Sequence, residues 1–326
     1  MVVLDLQNLL KAILDIRVYE FLAHIKYLFL SKNYARRANK PPISIIQYEF
    51  RKAFGRELNI SSPVSFNEKQ NWMKLFWYDE RAPICCNKFF VRQFVLSKGL
   101  GFILNELYAV YDSHEDIDGK GLTFPCVIKT THDSGGHMII CKSYEESDWI
   151  LIRKKIRRWN SIDYCFASGE WPYHTTQKKI ICEKYLKSLD CTMPIDFKFF
   201  CFNGKPEFIM VPSKVEHSLK DSERRDFYDL SWNKLPIEWA HPTSMLNIPK
   251  PICLDDMIQY SSILSEGFPF VRVDFYNVGS IVIFGEMTFF HGGGLSNFVP
   301  ESIDISLGNK INLPEKDNPW EKHVHR

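Results

Sequence analysis

The sequence lacks an excess of charge of either sign. Lys and Arg number 41 against 39 Asp and Glu, a net of +2, so bulk electrostatics favour neither nucleic acid nor a membrane surface. It also lacks a cysteine framework. Nine cysteines are scattered except for the adjacent Cys85 and Cys86, and no CxxC recurs. An odd, dispersed set points to reduced thiols in a cytoplasmic setting rather than disulfides or a zinc site. No uncharged run reaches the ~18 residues that a membrane span needs. Asp5, Lys11, Asp15, Arg17 and Glu20 interrupt the apolar N-terminus and no small-residue cleavage site follows, so it does not read as a signal peptide. The glycine spacings of the P-loop and of the dinucleotide fingerprint are missing. No convincing Ser/His/Asp nucleophile is present. What remains is an apolar, aromatic-rich chain (45% and 14% of 326 residues), long enough for two or three packed domains.

Leu6, Leu10, Ile13, Val18, Phe21, Ile25 and Leu28 recur at near-helical spacing, so residues 4–31 read as one or two amphipathic helices. Packing against the body or a partner is the expected use. Docking on the inner membrane surface is the alternative, because Lys26, Lys32, Arg36, Arg37 and Lys40 follow closely. Residues 43–60 look helical with a break at Gly55. Ser65 precedes Glu68 at capping-box spacing, which predicts a helix running on through Trp77. Asn87 can cap a further helix, with Lys88 in its first turn, where a cation is unfavourable unless an anion sits nearby. Residues 103–113 read as a strand. Lys129 ends the strand PCVIK ahead of a loop with Ser134, Gly135 and Gly136, whose backbone N–H groups can approach a phosphate. A basic helix, ILIRKKIRRW, precedes the aromatic segment around Trp171 and Tyr173. IIC then exits a core as Glu183, Lys184, Tyr185 and Leu186, with Asp190 beyond. Backbone groups at such an exit can read a flat base, and a nearby acid can hold a ribose. A hairpin turning at Asn203-Gly204 carries Lys198 before the turn and Lys214 at the far end of its returning strand.

The stretch from 270 to 294 reads as a second hairpin. FVRVDFY is one strand, Asn277 to Ser280 the turn, and IVIFGEMTFF the other strand. Asp274 and Glu286, one on each strand, can converge on one point. Two carboxylates in apolar company suit Mg²⁺, which takes few protein ligands and completes its shell with water and phosphate oxygens. Two solvated acids on a half-exposed sheet are the plainer alternative.

Taken together, SFNEKQNWMKL, NKFFVRQFV, FKFFCFNGKP, FVRVDFY and GEMTFFHGGGLSNFVP resemble the ATP-grasp proteins of teichuronopeptide and capsular-polysaccharide biosynthesis, over roughly residues 45–310. The resemblance implies an α+β ATP-grasp fold, two β-rich subdomains clamping ATP, with an N-terminal helical extension. The implied divisions are an extension at 1–42, a pre-ATP-grasp region at 43–120, a lid subdomain at 121–190 and a catalytic subdomain at 191–326. It implies ATP and Mg²⁺. Lys88 and Lys129, with Ser134, Gly135 and Gly136, would face the phosphates. Glu183, Lys184, Tyr185 and Leu186 would bind adenine, and Asp190 ribose. Lys198 and Lys214 would face the phosphates or an acyl phosphate. Asp274, Glu286 and Thr288 would ligate Mg²⁺, Thr288 standing where many members have Asn. Arg272 would pair with a substrate carboxylate or the tetrahedral intermediate, or else with Asp274. His291, Gly292, Gly293 and Asn297 would form the rim of the acceptor site. The implied reaction is amide formation through an acyl phosphate, between a uronic acid and an amine or amino acid, in the cytoplasm. A nucleotide-sugar transferase or a non-catalytic nucleotide-binding protein are the alternatives. Losing either Asp274 or Glu286 is expected to abolish turnover while sparing the fold.

Overall fold

The computed structural model describes residues 16–133, 137–187, 194–214, 223–244 and 246–322. Helix α1 (Ile16–Ala38) is followed by α2 (Pro42–Phe54), which opens on proline and closes at Gly55 in the left-handed region. Helix α3 (Phe66–Phe76) begins with the capping box the sequence announced. Ser65 accepts from the Glu68 backbone N–H, and Glu68 accepts from the Ser65 N–H. Asn87 caps as expected, accepting from the N–H groups of Phe89 and Phe90, but the helix proper starts only at Val91 (α4, Val91–Ser97). Lys88 therefore lies in a turn before the helix.

Two antiparallel sheets carry the remainder. The smaller has the order β1-β4-β2-β3, with β1 Leu107–Tyr111, β2 Cys126–Thr130, β3 Met138–Cys141 and β4 Ile180–Lys184. The strand expected at 103–113 is shorter, because Gly101–Ile103 forms a 3-10 turn first. Cys126, Ile128, Ile180 and Cys182 point to one face and bury against Ile152 and Ile156 of the basic helix α5 (Trp149–Asn160). By the two-residue period of a strand, Lys129 and Glu183 occupy the other face.

The larger sheet has the order β11-β10-β5-β6-β7-β8, with β5 Asp196–Phe202, β6 Lys205–Lys214, β7 Glu223–Asp229, β8 Lys234–Leu235, β10 Phe270–Val278 and β11 Ile281–Thr288. A separate pair joins β9 (Glu238–Trp239) to β12 (Phe298–Val299). Asn203 and Gly204, at φ 47° and 79°, make the tight turn between β5 and β6. Helix α6 (Leu254–Ser265) covers one face of this sheet, against β5, β6 and β10.

The register of β5 on β10 explains the other face. Phe202 lies opposite Phe270, Phe200 opposite Arg272, Lys198 opposite Asp274 and Asp196 opposite Tyr276. One end of that face is thus aromatic and packs on Phe66 of α3. The other end is charged and is left open to a cavity. Trp171 of the aromatic segment is fully buried against Trp77 and Tyr78. Among the described residues no helix is long and apolar enough to cross a membrane, and the eight cysteines there are buried and free.

Candidate active site

The charged end of the large sheet and the Lys129–Glu183 face of the small sheet enclose a cavity of about 270 Å³. Lys88, Arg92, Asn105, Lys129, Glu183 and Leu186 line it from the small-sheet side. Asp196, Lys198, Asp274, Tyr276 and Glu286 line it from the large sheet. Lys129 and Asp274, 145 positions apart in the numbering, thereby meet at one site.

On the small-sheet side, Lys129 Nζ donates to Glu183 Oε2 at 2.9 Å, and Arg92 reaches Glu183 Oε1 at 3.4 Å. Lys88 Nζ donates to the Asp133 carbonyl at 2.5 Å and to its carboxylate at 3.1 Å. Burial lowers the Lys88 pKa, but the charges of Asp133 and Glu286 outweigh it and raise the pKa above its ordinary value. Asp133 itself is held down to about 2: burial pushes it up, while Lys88, His137 and Thr130 pull it further down. His137 Nδ1 lies 2.8 Å from Asp133 Oδ2, and the Tyr27 hydroxyl of α1 lies 2.8 Å from His137 Nε2. The Nδ1–H tautomer satisfies both bonds. Residues 133 and 137, which flank positions 134–136 in the sequence, are therefore anchored. Of the EKYL stretch, Glu183 and Leu186 face the cavity. Lys184 pairs with Glu106 at the surface, its carbonyl accepts from Asn105, and neither its side chain nor that of Tyr185 lines the site.

On the large sheet, Asp274 and Glu286 are direct cross-strand partners. A bulge at Gly285 brings them together: a Cβ there would stand 3.0 Å from the Asp274 carbonyl oxygen. Arg272 grips Asp274 with two bonds of 2.7 Å and reaches Glu286 at 3.0 Å. Lys198 bonds Asp274 Oδ2 at 2.6 Å and Asp196 Oδ2 at 2.5 Å. Burial raises the Asp274 carboxyl, yet Arg272 and Lys198 prevail and keep it below the usual carboxylate range. Asp196 is pushed up to about 6 by burial, with Lys198 opposing and Asp274 adding to the rise. Its Oδ1 is buried without a hydrogen-bond partner.

Asp274 and Glu286, cross-strand partners on one wall, are a pair of hard carboxylate donors that fits Mg²⁺, and they are the residues that would hold it. Asp196 lies on the same wall, but its carboxylate does not come within shared ligand distance of both. Asp196 went unnoticed in the sequence, although its place two residues before Lys198 puts both on one face of a strand. Asp133, which ties Lys88 to His137, also went unnoticed. Thr288 stands opposite Arg272 and does not line the cavity. Lys214 ends β6 opposite Glu223. Ser134, Gly135, Gly136 and Asp190 lie outside the described residues.

Of the two roles left open for Arg272, pairing with Asp274 is the one seen: it does not line the cavity but lies behind the carboxylates as their buried counter-ion. One expectation is corrected. The stretch from His291 to Asn297 is not a rim. His291 is buried, accepts from Arg272 at 2.9 Å through Nδ1, and packs against a tilted Trp239 ring and edge-on against Phe200. Burial, with Arg272 and Arg225, drives its pKa well below the ordinary value, so it is neutral. Gly292 and Gly293 turn in the left-handed region, and the Gly293 carbonyl accepts from the buried Lys74 at 2.6 Å. Asn297 is exposed just ahead of β12 and does not line the cavity.

Residues 69–312 match the model of the TupA-like ATPgrasp family. No curated protein matches the chain. Among solved structures it is similar to D-alanine–D-alanine ligase from Bacillus anthracis complexed with ATP, at 16% identity and a TM-score of 0.35, covering 63% of this chain and 54% of that one. The same ligase from Helicobacter pylori is 12% identical with a TM-score of 0.40, covering 78% and 68%. L-amino acid ligase from Bacillus licheniformis is 13% identical with a TM-score of 0.41, covering 71% and 51%. The chain spans about half the length of the Bacillus anthracis ligase.

Proposed function

Since the chain belongs to the TupA-like ATP-grasp family, we propose that it is an ATP-dependent carboxylate–amine ligase. The observation that carries this is the single cavity where cationic Lys88, Lys129 and Lys198 face the carboxylates Asp196, Asp274 and Glu286. Phosphoryl transfer asks for positioning and charge neutralisation rather than a covalent nucleophile, and this cavity offers both.

In this reading Glu183 and Leu186 border the base, and Lys88 and Lys129 face the phosphates. Mg²⁺, when bound, neutralises charge on the transferring phosphoryl group and orients its oxygens. Arg272 and Lys198 hold Asp274 ionised, so the acid is ready to ligate without first losing a proton. Lys198 stands beside the transferring group. The carboxylate substrate becomes an acyl phosphate, and an amine displaces phosphate to leave the amide. The acid is a uronic acid and the amine a small amine or amino acid, or the sugar supplies the amine. The setting is cytoplasmic synthesis of a capsular or other surface polysaccharide, with the N-terminal helices touching the inner face of the membrane or a partner. The family's resemblance to polysaccharide enzymes supports the substrate class.

The test is ADP release with candidate uronic acids and amines, followed by positional isotope exchange in ATP with each substrate alone. The substrate that by itself promotes scrambling of the bridging oxygen is the acid. ADP formation with a glycosidic product and no amide would end the ligase reading.

A further inference from the structure

Between Val18 and Phe29 helix α1 turns an apolar side outwards. Its inner face is mostly polar: Glu20 pairs with Arg158, Tyr27 bonds His137, Ser31 bonds the Ser161 carbonyl, and Arg37 bonds Glu49 and the carbonyls of Phe166 and Ala167. Tyr34 adds one apolar contact, to the cluster around Ile45 and Phe166. Its outer face carries Val18, Phe21, Leu22, Ile25 and Phe29 at the spacing that normally marks a core-facing stripe. Here Phe21 is 62% and Phe29 70% exposed, with Val18, Leu22 and Leu28 exposed as well. The sequence left packing on the body, on a partner or on a membrane open for these side chains; the polar inner contacts hold the helix so that Phe21, Leu22 and Phe29 do not pack on the body. Single exposed apolar residues are ordinary, but an aligned stripe marks a surface that something covers.

The charges around the stripe say what covers it. Lys26, Lys32 and Arg36 are exposed on the same helix. The only acid among its described residues, Glu20, is paired with Arg158. Phe21 and Leu28 also line a cleft of about 850 Å³ against α5, where Ile150 is exposed and Lys154 and Arg157 form no ion pair among the described residues. Asp148 lines that cleft too, but its carboxylate caps α5 by accepting from Leu151. Apolar side chains ringed by unpaired cations match the boundary between acyl chains and anionic headgroups. A second copy of the chain matches poorly, because it would bring the same cations against each other's stripe with no acid to pair them.

We propose that the outer face of α1 and the adjoining mouth of the α5 cleft dock on an anionic phospholipid bilayer. Phe21, Leu22, Phe29 and Ile150 enter the headgroup region, while Lys26, Lys32, Arg36, Lys154 and Arg157 meet lipid phosphates. This deepens the membrane placement proposed above and does not depend on the ligase chemistry.

The test is co-sedimentation of the full chain with vesicles of phosphatidylcholine alone, and with one third phosphatidylglycerol. The chain binds the anionic vesicles, and raised salt weakens binding. Phe21→Ser with Phe29→Ser, or Lys32→Ala with Arg36→Ala, each weakens binding roughly tenfold or more. All four side chains lie at the surface, and unchanged melting temperatures verify that these variants fold. Equal binding to both vesicle types overturns the proposal. So does a concentration-dependent dimer in solution that Phe21→Ser abolishes, which makes a second copy the occupant. Vesicle binding gained only on deletion of residues 1–15 overturns it as well, making that segment the occupant. ADP release is measured in parallel, so failure of the membrane contact and failure of the ligase reading are told apart.

Discussion

Asp274→Asn and Glu286→Gln should part company on stability while agreeing on activity. From the sequence the two acids look equivalent; the structure makes them unequal. Asp274 is buried and accepts two bonds from Arg272 and one from Lys198. An asparagine there offers one oxygen and turns an amide N–H towards a cation, so two buried cations lose a counter-charge. Breaking a buried ion pair by removing one partner costs about 3–5 kcal/mol. At ~2.1 cal/mol/K per residue the unfolding entropy of a chain this long is roughly 0.7 kcal/mol/K, so the melting temperature should fall by about 4–7 °C. The Glu286 side chain is 37% exposed, with a single bond to Arg272. Glutamine keeps that acceptor, and solvent screens the lost charge, so the cost is under about 1 kcal/mol. Both variants should lose Mg²⁺-dependent ADP formation. The assay pairs calorimetric melting of each variant with steady-state ADP release over a Mg²⁺ titration. Near-normal turnover by Glu286→Gln at moderate Mg²⁺ would refute the metal assignment. A melting temperature for Asp274→Asn as high as that of Glu286→Gln would refute the buried-network account.

Gly285→Ala should destabilise by about 1–3 kcal/mol and lower kcat, since backbone must move where a Cβ would stand 3.0 Å from the Asp274 carbonyl oxygen; an unchanged kcat would show that the bulge does not set the Glu286 position. The His132 pKa is lowered to about 4 by burial, with Lys178 adding to the effect. Its depressed value means a contribution of about 3 kcal/mol that is fully present above pH 6.5 and is lost as pH falls through 4. Urea unfolding across that window should show a steep acid limb that His132→Leu flattens, and an equally steep limb in the variant would count against this. Tyr27→Phe removes the hydroxyl that meets His137, worth about 1 kcal/mol. It should weaken binding of a non-hydrolysable ATP analogue about fivefold by calorimetric titration; unaltered affinity would mean that the Tyr27–His137–Asp133 contacts do not support the site.

The sequence by itself determined the local elements, and with them most of the candidate site. The capping box at Ser65–Glu68, the turn at Asn203-Gly204 and the hairpin over 270–288 depend on a few neighbouring residues, so they were legible in order along the chain. Asp274 and Glu286 stand on that hairpin as charged residues in apolar company, Lys198 stands ahead of the Asn203-Gly204 turn, and Lys129 ends a buried strand before a glycine-containing segment, which marked them in advance. What only the tertiary structure decided is which of several exposed or buried settings each remaining residue occupies. Arg272 spends its donors on Asp274, Glu286 and His291 because the β5–β10 register sets that face against α3 and the glycine turn. His291 is core rather than rim, Trp171 is core as well, and α1 turns its apolar stripe outwards, because partners far away in the chain fix the orientation. Periodicity reports that a helix has two faces. It carries no information on which face the protein covers, since that depends on whether distant side chains offer hydrogen bonds or apolar surface.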